Sequence, residues 1–130
     1  MLKPDFSSYS LALVKSDEII FSSAKSGIRP LLECVTSIKE DGCILHDKVI
    51  GLAAARLIAY SGIIESVKTM VISRPAKEHL EKNKIPFEAN TVTDRILNNS
   101  KTGMCPMEEK ALKSADDKEF FDEISLLFSS

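Results

Sequence analysis

The chain has 130 residues, 44% of them apolar, and its 28% charged side chains nearly cancel to a net charge of -2. That is enough chain for one buried core, and it excludes a disordered segment, which is poor in apolar residues. With both charge signs mixed there is no basic stripe to neutralise phosphates, so nucleic acid is not an expected partner.

No run of about 18 apolar residues exists to span a membrane, and Met1 to Phe6 shows no apolar leader behind a basic cluster. Cys34, Cys43 and Cys105 are an odd set without tight spacing, which fits a reducing compartment. A cytoplasmic location is therefore expected. The chain has no Trp, two Tyr and six Phe, so no aromatic platform for stacking bases stands out.

In chain order, Ser10 to Val14 reads as a strand, Lys15-Ser16-Asp17 as a turn and Glu18 to Phe21 as a second strand, giving an N-terminal hairpin. Gly27 breaks the chain. Pro30 suits a first helical turn, and Leu31, Leu32, Val35 and Ile38 recur at helical spacing up to Glu40. Asp41-Gly42 is a turn, and Cys43-Ile44-Leu45 is a short apolar strand of the doubly buried kind. Asp47 is the expected N-cap of a helix from Lys48 to Tyr60, closed by Gly62. That helix is apolar nearly all round and is predicted to be central, with Gly51 and three alanines allowing close approach to a sheet.

Ser66 to Ile72 is the next expected strand. Ser73 caps a helix with Pro75 in its first turn, running to Asn83, and Ile85 to Glu88 is a short last strand. Asp94 to Leu97 reads as a helical turn, Asn98 to Gly103 as a loop and Pro106 to Leu112 as a helix. The tail from Asp116 places Phe120, Phe121, Ile124, Leu127 and Phe128 on one helical face, which should dock on the body. Strands alternating with helices imply one α/β domain over residues 1–130. The expected form is a three-layer α-β-α sandwich around a mixed sheet of about five strands.

The element order resembles the cytidine-deaminase-like fold. In zinc deaminases one strand runs into a helix opened by His-x-Glu and the next into one opened by Pro-Cys-x-x-Cys. The corresponding junctions here read His46-Asp47-Lys48 and Pro75-Ala76-Lys77-Glu78-His79. More specifically, three stretches resemble a small prokaryotic family of unknown function within that superfamily. They are Gly27-Ile28-Arg29-Pro30-Leu31-Leu32-Glu33, Asp47-Lys48-Val49-Ile50-Gly51-Leu52-Ala53-Ala54-Ala55 and Thr102-Gly103-Met104-Cys105-Pro106-Met107-Glu108. That resemblance implies a fold and no established activity.

Under it, Lys48 stands where a deaminase keeps its proton-carrying Glu, and Ala76 where it keeps a Cys ligand. A protonated ammonium cannot take a proton from metal-bound water, and alanine binds no metal, so the usual zinc deamination is not expected and no cofactor is predicted. His46 and His79 fall at ligand positions, and Cys105 is a conceivable third donor to zinc. Against this, two histidines without tight spacing read more simply as a strand end and a helix surface. Asp47 and Lys48 likewise read as a cap and a solvated first-turn residue. A cation at a helix start nevertheless points to an anion, since the dipole there already favours negative charge. Cys105 opens a helix, which favours a thiolate, but Glu108 and Glu109 in the same turn oppose it.

Three functions compete on this reading. The first is a non-catalytic domain binding a small anionic or nucleotide-like ligand through Asp47, Lys48, Ser73, Thr102, Cys105 and Glu108. The second is an enzyme with rewired chemistry at Lys48 or Cys105. The third is a homodimer formed through the C-terminal helix bearing Phe120, Phe121 and Phe128.

Overall fold

The computed structural model describes residues 2–96 and 105–129. The N-terminal hairpin pairs β1 (Leu11–Lys15) with β2 (Glu18–Ser23). Its turn residues Ser16 and Asp17 both take positive φ, 52° and 62°. Two left-handed residues in succession match the right-handed twist of the flanking strands.

Helix α1 (Arg29–Ser37) opens with Pro30 near its start and ends at Ser37 rather than at the expected Glu40. Then come β3 (Cys43–Asp47), a two-residue strand β4 (Val49–Ile50) and α2 (Leu52–Ser61). Gly62, left-handed at φ 69°, stops α2 as expected. After it run β5 (Ile64–Ser73) and α3 (Arg74–Lys82), then β6 (Phe87–Thr93), α4 (Pro106–Lys113) and α5 (Asp117–Leu127).

The sheet is mixed and has six strands, in the order β2-β1-β3-β5-β4, with β6 also on β5. β1 is antiparallel to β2 and β3, while β3, β4 and β6 run parallel to β5. The extra strand arises because β3 and β4 pair in succession with one long strand, Ile44 facing Ser66 and Ile50 facing Ile72. β6 runs on to Thr93, beyond the expected end at Glu88, because its register with β5 continues to Ser73 opposite Thr93. Its mostly polar, exposed side chains hid that strand from pattern reading. Asp94 to Ile96 form no helical turn.

Helix α2 touches all four other helices. Ala55, Leu57 and Ile58 are wholly buried, in one cluster with Leu13 and Leu45 from the sheet, Leu31, Leu80, Phe120 and Ile124. Burying each large side chain of this kind contributes about 1.5–3 kcal/mol. The tail docks through Phe120 and Ile124, which are fully buried, and Phe121 packs on Tyr60 with ring centroids 4.7 Å apart, whereas Leu127, expected on the same face, is exposed. Leu45 faces this cluster, so its neighbour His46 faces the other side of the sheet, where the segment preceding β1 brings Tyr9 against it. Among the described residues no helix is long and apolar enough to cross a membrane.

Candidate functional site

The start of α2 departs most from the sequence expectation. Asp47 and Lys48 do not open the helix, because the backbone of Lys48 is bonded to Ser10, just before β1, and to β5. Its N–H donates to the Ser10 carbonyl at 2.9 Å, and its carbonyl accepts from Met70 and Val71 N–H, each at 3.2 Å. The Thr69 hydroxyl adds a 3.1 Å bond to the same carbonyl. Lys48 forms the bend between β3 and β4, and the helix begins only at Leu52, with Gly51 at its N-cap.

Gly51 has no side chain to cap with, and the first amides find a partner elsewhere. The Glu108 carboxylate accepts from Leu52 N–H at 2.7 Å and from Ala53 N–H at 2.9 Å. This satisfies two of the donors that every helix start leaves open and places negative charge at the positive end of the dipole. A Cβ on Gly51 would lie 2.6 Å from Glu108 Cδ, so glycine here makes room for the carboxylate rather than for the sheet. Burial pushes the Glu108 carboxyl above its ordinary value, and the two amides pull it back.

Above this junction lies a cavity of about 470 Å³. The stretch before α1 contributes Ser26, Gly27 and Ile28, the β3–α2 connection contributes Asp47 and Lys48, and the start of α4 contributes Cys105, Met107 and Glu108. All three family-like stretches therefore meet at one place. Lys25 and Ser10 complete the polar part of the wall. Lys25, which no pattern in the sequence singled out, comes within reach because the Ser10 hydroxyl holds its carbonyl. The N–H of Cys105 donates to the Ile96 carbonyl at 3.1 Å, which draws α4 to this rim. Cys105 is half-buried at the N-cap of α4 and makes no capping bond with its side chain.

Asp47 is partly buried and lines the cavity. Burial pushes the carboxyl up to about 8, against the pull of Val49 and Lys48 backbone N–H groups. Neither Lys25 nor Lys48 forms an ion pair among the described residues. A second hollow of about 520 Å³ lies against Phe6, Met70 and the Lys68–Glu88 ion pair. None of the three stretches reaches it.

The other sequence candidates lie apart from the cavity or outside the described residues. Ser73 is the N-cap of α3, its hydroxyl accepting from Ala76 N–H at 3.2 Å, and Ala76 is fully buried. Neither lines the cavity. Thr102 lies outside the described residues. His46 is fully buried, with Nδ1 2.9 Å from the Tyr9 hydroxyl, which also accepts from Asp5 N–H at 3.0 Å. Burial, and then Lys68, hold its pKa below the ordinary value, and its Nε2 has no partner among the described residues. His79 instead lies against α5, Nε2 2.8 Å from Asp117 Oδ1. The same oxygen takes Arg56 at 3.0 Å, while Arg56 also donates to the Ala111 and Ser114 carbonyls. The alternative ligand set of His46, His79 and Cys105 is not assembled, and among the described residues no three His, Cys, Asp or Glu side chains converge to hold a metal ion.

Residues 5–127 match the model of the TM1506 family, a domain of unknown function (DUF1893). The crystal structure of the DUF1893 family protein TM1506 from Thermotoga maritima superposes with a TM-score of 0.86 at 26% identity, covering 94% of this chain and 82% of that one. No curated protein matches. The chain belongs to the DUF1893 family.

Proposed function

We propose that this DUF1893 protein binds a small anionic ligand in the cavity beside the start of α2, with Lys25 and Lys48 as the cationic contacts. One observation carries the reading. Three stretches far apart in sequence converge on a cavity lined by two lysines, Lys25 and Lys48, that form no ion pair among the described residues. Its size falls within the range of about 300–1,000 Å³ that small-molecule sites occupy.

The geometry changes how the anion is held. Glu108 already takes the α2 amides, so the helix start is closed as an anion site and the lysines supply the positive field. Asp47, raised to about 8, is largely protonated at neutral pH and adds a hydrogen-bond donor rather than an opposing charge.

The resemblance to the cytidine-deaminase-like fold rests on element order and on the parallel β3–β5 and β5–β6 pairs. It does not extend to the chemistry of a zinc deaminase. Lys48 lies between two strands and not in a helix first turn, and the donors that resemblance would recruit do not cluster.

The test is calorimetric titration and thermal shift with inorganic phosphate, short organic acids and nucleoside monophosphates. A bound probe should raise the melting temperature, by about 2.7 kcal/mol of stability at a hundredfold excess over Kd. Lys48→Ala and Lys25→Ala should each weaken binding. If no probe shifts the wild-type protein, the reading falls.

A second reading, thiol chemistry at Cys105, is favoured by the place of that residue in the cavity wall. Its measure is iodoacetamide labelling against pH. A rate profile centred near the ordinary thiol value of about 8.5 removes it.

A further inference from the structure

Resting on the site just proposed, we infer that its ligand is an aliphatic organic anion, a carboxylate or phosphomonoester on a saturated carbon body, and not a nucleotide. The cavity wall decides this. Its apolar part is built from Leu11, Ile28, Pro30, Val49, Ala54 and Met107, all saturated side chains suited to methylene groups. No Phe, Tyr, Trp or His lines it among the described residues. Residues 97–104, the segment between Ile96 and Cys105, contain no aromatic residue in sequence either. Proteins that bind single strands gain about 1–3 kcal/mol per base by stacking it on aromatic rings, a contribution this wall lacks, and no arginine lines it to offer a guanidinium plane instead.

The aromatic residues nearest in sequence are directed elsewhere. Phe6 and Tyr9 pack edge to face at 5.9 Å, and Tyr9 bonds His46 on the side of the sheet away from α2.

The polar end fits the same class. Lys25 and Lys48 are compact point charges without the planar fork that reads a phosphate bidentately, so one anionic head group, carboxylate or phosphate, satisfies them. Asp47 stands beside Lys48 in the wall and offers that head group a hydrogen bond while protonated. Raising the pH through about 8 turns the donor into a repelling charge.

The experiment is isothermal titration of the full chain with hexanoate, hexyl phosphate, CMP, AMP and inorganic phosphate. It is run at neutral pH and above pH 9, with Lys48→Ala and Asp47→Asn variants alongside. Hexanoate or hexyl phosphate should bind about tenfold or more tightly than CMP, AMP or phosphate, and the better of the two names the head group. Lys48→Ala should weaken that binding, and the wild-type affinity should drop above pH 9 while that of Asp47→Asn stays level. If a nucleotide binds as well as or better than both hexyl probes and Lys48→Ala weakens it, the ligand class is overturned and the site stands. If none of the five binds, the site reading falls with it.

Discussion

Two helix starts in this chain solve one physical problem in different ways. α3 is closed by its own preceding residue, Ser73, whose hydroxyl reaches an amide three positions on. α2 is closed by Glu108, which lies 56 and 55 positions away from the amides it accepts. A local cap needs only the right residue before a helix, whereas a distant cap also needs the rest of the fold in place. The distant solution joins α4 to α2 and puts a carboxylate, a glycine and two lysines around one cavity; the local one builds nothing beyond its own helix.

The contrast predicts a ranking of damage. Glu108→Ala should be the most costly, by about 2–4 kcal/mol, since two buried amides lose their partner; urea unfolding measures it. Gly51→Ala should come next at about 1–3 kcal/mol, because the new methyl overlaps the carboxylate. The double variant should then cost less than the sum, as the clash disappears with its partner. Additive costs would show that Gly51 and Glu108 do not act on each other. Ser73→Ala should cost about 1 kcal/mol, and it should leave ligand binding unchanged. A binding loss there would place α3 at the site and erase the contrast.

Two titrations sharpen it further, with effects of opposite sign. Asp47 is raised when folded, to about 8 from 3.8, so its contribution is full below pH 3.8 and is lost as pH rises towards 8. Asp47→Asn should therefore melt several degrees higher than wild type near pH 8 and close to it near pH 4. His46 is lowered from 6.5, so its contribution is full above pH 6.5 and is lost as pH falls through the folded value. Replacing it by Gln should flatten the melting temperature between pH 7 and 5. Unchanged slopes in either variant would show that the group does not titrate as its burial implies.

Local chemistry was legible where cause and effect are neighbours in the chain. The Lys15 to Asp17 turn, the Ser73 cap, the Gly62 stop and the apolar α2 all follow from residue types within a few positions. Asp47 failed as a cap by the same measure. It is a good capping residue in the right place, overridden because the carbonyl of Lys48 is taken by β5. The polar β6 was cut short because its register comes from β5 and not from its own composition.

The sequence alone therefore determined the α/β class and the apolar helix packed at its centre, because periodicity and turn chemistry act over a few residues. It also marked three stretches without saying why they belong together. Only the tertiary structure brought Gly27, Lys48 and Cys105 to one cavity wall and Glu108 onto the amides of α2. Hydrogen bonds and steric fit between residues so far apart depend on distances that no linear pattern records.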